Sequence, residues 1–174
     1  KSLEEIMIPS SVISIGNNAF NGCESLEEIM IPSSVIMIGC SSFKDCKSLK
    51  NLEIPLSVIS IGERAFSGCT SLKKVSISSS VVFINNGLFS QCSALEEISI
   101  LPSVKMIGNE SFRDCVSLKS ISIPPEVGSI GKCAFADCKS LENVYFQNRR
   151  INIGRMAFAG CSILYKKKGF HFPE

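Results

Sequence analysis

Apolar residues return along this chain at a fixed step of 23. Leu3, Leu26, Leu49, Leu72, Leu95, Leu118, Leu141 and Leu164 keep that step, and so do Phe20, Phe43, Phe66, Phe89, Phe112, Phe135 and Phe158. Cys23, Cys46, Cys69, Cys92, Cys115, Cys138 and Cys161 form a third series in phase with the other two. Three such series define an internal repeat, and a repeat governs every local reading that follows. The units run 3–25, 26–48, 49–71, 72–94, 95–117, 118–140 and 141–163, with a tail at 164–174.

Each unit opens Leu-x-x-Ile-x-Ile, as in Leu3, Ile6 and Ile8. Its last two apolar positions are two apart and mostly β-branched, which predicts a short strand. Proline or serine ends it in most units, for example Pro9, Pro32, Pro55, Ser78 and Pro124, with Leu101 an exception. Val-x-x-Ile-Gly follows, as in Val12, Ile15 and Gly16, and reads as a second extended piece closed by a glycine turn. The closing Ala-Phe-x-x-Cys (Ala19, Phe20, Cys23) has the spacing of a single helical or 3₁₀ turn. One such coil cannot bury its own apolar side, but stacked coils can, because like positions pile into ladders. At ~4.8 Å per coil the array should be on the order of 35 Å long. Eight positions per coil are expected to point inward: Leu3, Ile6, Ile8, Val12, Ile15, Ala19, Phe20 and Cys23 in the first.

The pattern Leu-x-x-Ile-x-Ile-Pro-x-Ser-Val-x-x-Ile-Gly-x-x-Ala-Phe-x-x-Cys resembles the BspA-like class of leucine-rich repeats over residues 3–163. The resemblance implies an α/β solenoid: a right-handed curved coil with a concave parallel sheet of first strands. Short helical turns and short second strands are then expected on the convex side. It also implies a surface or secreted protein with a role in adhesion or host-protein binding, although repeat folds serve many partners.

The pattern fails in two places. Unit four has Asn85 for the turn glycine, followed by Asn86 and Gly87, and asparagine's tolerance of left-handed backbone would preserve the turn. Unit seven has Arg150 for Val and Phe146 for Ile, and Lys167 and Gly169 then fall at the strand positions of the tail. Phe170 and Phe172 are expected to fold over the open end as a cap. The opposite end lacks one, and the chain begins in mid-pattern at Lys1-Ser2-Leu3. A monomeric piece of a longer array is therefore expected.

Composition narrows the function. The 174 residues carry a net charge of only +2, no tryptophan, and two tyrosines, Tyr145 and Tyr165. A basic stripe interleaved with aromatics, the mark of a nucleic-acid module, is missing. No apolar run reaches membrane-spanning length, and the start of the chain has no secretion leader. A cytoplasmic location is left open beside the surface one, since free thiols also fit a reducing compartment.

Nine cysteines admit three readings. Zinc needs clustered ligands, and a 23-residue step supplies one thiolate per coil. Disulfides between neighbouring coils are disfavoured, because ladder side chains run parallel and hold their Cβ atoms too far apart. A buried ladder of free thiols acting as small hydrophobes is the favoured reading. Cys40 and Cys133 stand outside the ladder. No cofactor and no catalytic centre are expected: His171 is a lone histidine in the tail, and neither a phosphate loop nor a nucleophile elbow occurs. Asn109-Glu110-Ser111 is a single glycosylation acceptor motif.

The outward positions of the first strands carry the candidate protein-binding residues: Glu4, Glu5, Met7, Glu27, Glu28, Met30, Lys50, Lys73, Lys74 and Tyr145. Charge pairing along the face (Glu27 with Lys50, Lys73 with Glu96, Lys119 with Glu142) would make it an ordinary solvated surface. Glu4, Glu5, Glu27 and Glu28 instead form a like-charged cluster, and like charges opposite each other destabilise a sheet. Such a cluster is expected either to meet a protein partner or to be neutralised by lysines of preceding coils. The alternative to binding is a structural spacer that displays other domains. A basic end at Arg149, Arg150, Arg155 and Lys166–Lys168 is a weaker candidate for a membrane- or glycan-facing surface.

Overall fold

The computed structural model of the chain describes residues 4–148 and 150–164. Each 23-residue unit forms one coil of a parallel β-solenoid with two short strands, and the coils are numbered here by unit. The first strands are β1 (Glu5–Met7), β3 (Glu28–Met30), β5 (Asn51–Glu53), β7 (Lys74–Ser76), β9 (Glu97–Ile98), β11 (Ser120–Ile123) and β13 (Asn143–Phe146). The second strands are β2 (Ser14–Ile15), β4 (Met37–Ile38), β6 (Ser60–Ile61), β8 (Phe83–Ile84), β10 (Met106–Ile107), β12 (Ser129–Ile130) and β14 (Asn152–Ile153). All pairings are parallel and join residues one repeat apart, such as Leu52 with Val75 and Ile15 with Ile38. First strands form the ladders β1-β3, β5-β7-β9 and β11-β13, and second strands form β2-β4-β6 and β8-β10-β12-β14.

Strand alternation decides which side chains enter the core. In β5, Leu52 is buried between exposed Asn51 and Glu53. Leu49, Val58, Ala65, Phe66 and Cys69 of the same coil are fully buried, as the inward pattern requires. The terminal coil departs from it: Ala19 is exposed and Phe20 only half-buried, because no described residue stacks on that side.

The Phe-x-x-Cys segment is a chain of turns, and the expected helical turn does not form. Two positions per coil sit in the left-handed region, four residues apart: Asn18 and Gly22, Ser41 and Asp45, Arg64 and Gly68, and so on to Met156 and Gly160. A right-handed turn cannot run through them. The alternation instead turns every second peptide N–H group along the solenoid axis, while those between bond three residues back within the coil. Asn18, Phe20 and Gly22 donate to the carbonyls of Cys40, Ser42 and Lys44 in the next coil, at 2.9, 2.7 and 2.8 Å. The pattern repeats at every later junction, so inter-coil bonding takes half of the amides that a helix would satisfy within itself. The fold is an all-β solenoid, and the α/β assignment is corrected accordingly.

The phenylalanine rings form one continuous stack. Centroids are 5.1 Å apart for Phe20–Phe43, 5.3 Å for Phe43–Phe66, 5.8 Å for Phe66–Phe89, and 5.2 Å for Phe135–Phe158. Stacked pairs of this kind add about 0.5–1.5 kcal/mol each beyond the area they bury. The cysteine ladder beside it is free of disulfides. Its thiols do more than fill space: Cys69, Cys92, Cys115 and Cys138 donate through Sγ to the carbonyls of Phe43, Phe66, Phe89 and Phe112, at 3.1–3.2 Å. Burial pushes the thiols of Cys69, Cys92 and Cys115 well up, and that of Cys46 to about 12.

Other positions are less well satisfied. Ser42 and Ser111 are completely buried where coils one, three, six and seven place alanine and coil four Leu88, and neither hydroxyl has a hydrogen-bond partner. In coil seven, Arg150 is exposed and Ile151 turns inward in its stead, a one-residue slip that keeps the core filled. Phe146 meets Phe158 edge-on at 6.2 Å. Leu3, Arg149, Lys166–Lys168, Gly169, Phe170, His171 and Phe172 lie outside the described residues, as do the readings attached to them.

Candidate functional surface

Short first strands with alternating burial leave a row of side chains standing outward from each coil. At the start of the array, Glu5 lies opposite Glu28 and Met7 opposite Met30 in the β1–β3 register. Met7 and Met30 are 92% and 80% exposed, which is unusual for side chains that gain by burial. Glu53 joins them, and Glu5, Met7, Glu28, Met30, Ser33 and Glu53 border an open hollow of about 690 Å³ floored by Ile6, Ile29 and Ile31. Glu53, an outward residue of the third strand that is not among the sequence candidates, is brought in by the stacking of coil three.

The acidic cluster is smaller than the sequence suggested. Lys50 Nζ reaches Glu27 Oε2 at 2.5 Å, so Glu27 is neutralised on the face, and the Lys50 amine is pushed up by that hydrogen bond and the adjacent charge. Lys47 makes a similar contact with Glu24 at 2.8 Å, with the same upward effect on its amine. Glu4 has an interaction of its own. Glu5, Glu28 and Glu53 remain as the carboxylates of the hollow. Of the three ion pairs expected along the face, only Glu27–Lys50 closes; Lys73–Glu96 and Lys119–Glu142 are neighbours through main-chain bonds alone among the described residues.

Lys73 and Lys74 occupy the middle of the face, away from this hollow, with Lys74 opposite Asn51 on one side and Glu97 on the other. Tyr145, 58% exposed, belongs to a second hollow of about 380 Å³ with Glu97, Ser99, Ser120 and Ser122. That hollow overlies the junction where β9 and β11 are not paired. There Lys119 lacks the backward amide bond that Glu27, Lys50, Lys73, Glu96 and Glu142 each donate to the preceding coil. The ten candidate residues therefore fall into three places: the acidic end, the Lys73–Lys74 pair in the middle, and Tyr145 at the second hollow.

A further surface escaped the sequence reading. Ile13, Ile36, Ile59 and Val82 are exposed one above another beside the second strands, joined by Met37, Phe83 and Met106. Residues 9–14, 32–37, 55–60 and 78–83 include no charged side chain, whereas Lys105 and Glu126 appear at the corresponding stretches of coils five and six. An uncharged row of this extent is uncommon on a monomer. Its signal was the first x of Val-x-x-Ile, apolar in four consecutive units.

Among the described residues no group of three or more His, Cys, Asp or Glu side chains is placed to hold a metal ion. Among the described residues no helix is long and apolar enough to cross a membrane.

The sequence matches the model of the BspA type leucine rich repeat region in six copies, over residues 1–119 and 105–167. No curated protein matches it. Among solved structures, a leucine-rich-repeat protein of T. pallidum is 32% identical with a TM-score of 0.87, over 92% of this chain and 78% of that one. A leucine-rich cell surface protein of Faecalibacterium prausnitzii is 28% identical with a TM-score of 0.68, over 84% of this chain and 48% of that one. The pneumococcal vaccine antigen PcpA is 25% identical with a TM-score of 0.68, over 91% of this chain and 48% of that one. The chain thus spans about half the length of the latter two.

Proposed function

Because the chain belongs to the BspA-type leucine-rich-repeat family, a family of interaction modules rather than enzymes, we propose that its first-strand face binds a protein partner. One observation carries this reading: Glu5 stands opposite Glu28 and Met7 opposite Met30, all exposed around one hollow. Paired like charges cost stability, and exposed methionines forgo burial, so neither arrangement serves the fold. A partner segment that is basic with apolar tips would relieve both. Its lysines or arginines would neutralise Glu5, Glu28 and Glu53, and a side chain seated between Met7 and Met30 would exploit their adaptable thioethers.

Adhesion to a host surface or matrix protein is the biological form of this proposal. A cell surface protein and a vaccine antigen among the structural neighbours support it. The seven units of 1–163 would act as one recognition array, with 164–174 as its closing tail. The test is binding of the chain to immobilised host matrix proteins, comparing the native protein with a Glu5→Lys, Glu28→Lys, Glu53→Lys variant and with Met7→Ala, Met30→Ala. Both variants should weaken a captured interaction, and the native affinity should fall with added salt. Unchanged affinity in both would remove this hollow from the site, and capture of no matrix protein would favour a spacer that only displays other domains.

A further inference from the structure

The seven coils meet at six junctions, and five of these are closed on the second-strand side by the same two main-chain bonds. Coil two joins coil one through Ile36 N–H to Ile13 O and Gly39 N–H to Ile15 O, both 2.8 Å. Coil three joins coil two through Ile59 to Ile36 and Gly62 to Ile38, and coil five joins coil four through Lys105 to Val82 and Gly108 to Ile84. The two later junctions repeat the scheme, the last with its one-residue slip. Between coils three and four neither bond is present, and β6 is not paired with β8.

The cause is legible in the glycine ladder. An ideal Cβ placed on Gly39 would lie 2.6 Å from the Asn17 nitrogen, one on Gly108 2.8 Å from the Asn85 carbonyl carbon, and one on Gly154 2.6 Å from the Gly131 carbonyl carbon. A Cβ on Gly62 would overlap the main chain of Cys40. These glycines are outside the left-handed region. What they supply is room, contrary to the sequence expectation that Asn85 keeps its place by tolerating left-handed backbone. With a Cβ at this position, Asn85 cannot approach coil three as closely. Its side-chain Nδ2 spans the gap instead, donating to Ile61 O at 2.6 Å, the carbonyl that a glycine amide would otherwise have reached. Ser80 Oγ likewise reaches back to Leu56 O, whereas Ser34 and Ser103 bond Val12 O and Val81 O. The Phe66–Phe89 spacing of 5.8 Å is the widest in the ring stack.

The rest of the junction is intact. β5 and β7 are paired, and Arg64, Phe66 and Gly68 bond Asn86 O, Leu88 O and Ser90 O on the turn side. We propose that this junction is a hinge: the solenoid bends by parting coils three and four on the second-strand side while the first strands stay paired. The hinge lies between the two hollows of the first-strand face, so its motion sets their relative orientation. Asn85 is its positioning residue, acting as a side-chain strap in place of a main-chain clasp.

Residue-resolved amide hydrogen exchange on the whole chain tests this. The Val82 and Asn85 amides should exchange about tenfold or more faster than their equivalents Ile59, Lys105, Gly62 and Gly108. Arg64, Phe66, Gly68 and Val75 should stay as protected as their counterparts in neighbouring coils. In Asn85→Gly the two fast amides should slow into the range of their equivalents. Equal protection in the native chain overturns the hinge, and so does loss of protection at Phe66 or Val75 along with Val82, which would mean whole-junction separation. Fast exchange that persists in Asn85→Gly removes Asn85 as its cause. The native-chain measurement decides the first two outcomes even if the variant fails to fold.

Discussion

Raising the pH from 7.5 to 9.5 should remove much of this protein's stability, through the cysteine ladder and without any disulfide chemistry. Cys46, Cys69, Cys92 and Cys115 are fully buried, and burial is the first cause that raises each of their thiols. A raised folded value means that the neutral form is the one the fold retains. The stability from this source is fully present below the ordinary thiol value near ~8.5 and falls as pH climbs toward the folded values, about 12 for Cys46. In that window the unfolded chain sheds four protons that the native chain keeps. The slope of unfolding free energy therefore approaches about −1.4 kcal/mol per pH unit per thiol. At pH 9.5, one unit above ~8.5, each thiol has removed about 1.4 kcal/mol and the four together about 6 kcal/mol. A domain of this size holds on the order of 9–26 kcal/mol in all. Cys138 is left out of the sum because its thiol is raised first by its hydrogen bond with Cys161 and only then by burial. Urea unfolding in the presence of a phosphine reductant, followed by circular dichroism at half-unit steps of pH, measures the slope. Cys92→Ala should lower it by about a quarter, whatever it does to the stability at pH 7.5. A flat profile between pH 7.5 and 9.5 would refute the argument, because buried neutral thiols cannot be indifferent to alkali.

Phe66→Ala should destabilise by about 3–5 kcal/mol, at the upper end because two ring stacks are lost with the cavity, and denaturant melts should lose cooperativity. A variant melting like the parent would contradict the stacked core. Ser42→Ala and Ser111→Ala should each stabilise by about 1–3 kcal/mol, since a buried hydroxyl without a partner is replaced by the methyl that coils three, six and seven already carry. Lower melting temperatures in both would show that those hydroxyls do have partners. Brief alkylation of the native protein should label exposed Cys40 first and half-buried Cys23 more slowly, while alkylation after unfolding should label all nine thiols in the mass spectrum. Masses of paired cysteines would overturn the free ladder.

The repeat, its strands and its core ladders were readable from spacing alone because each depends on one residue type recurring at one position. Leu49, Phe66 and Cys69 are as buried as their period required. The turn segment was misread because three-to-four spacing is shared by a helical turn and by alternating left- and right-handed backbone. Only the positive angles at Arg64 and Gly68 separate them, and an arginine gives no warning of such an angle. The acidic cluster was overcounted because Glu27 was grouped with Glu4, Glu5 and Glu28, although Lys50, one repeat on and directly opposite, pairs with it. Glu53 was missed for the complementary reason, that the third coil completes a hollow begun by the first two. The apolar second-strand row was overlooked because outward side chains were examined only on the first strands, although Ile13 lay outside the inward set.

The two directions of hydrogen bonding give the array a grammar of inheritance. On the turn side the amides of one coil reach forward, and beside the strands the amides of the following coil reach back. Most coils thus present the same mixed set of donors and acceptors to whatever stacks on them, the coil three–four junction being the main departure, and a coil of the same phase is what answers it. Gain or loss of a whole unit keeps the phase of the coils on either side of it. A change of one residue shifts that phase and has to be absorbed locally, as coil seven absorbs its slip at Ile151. Insertion or deletion of complete repeats should therefore disturb folding less than changes of any other length. Recognition is then free to diversify coil by coil on side chains that the stacking never consults.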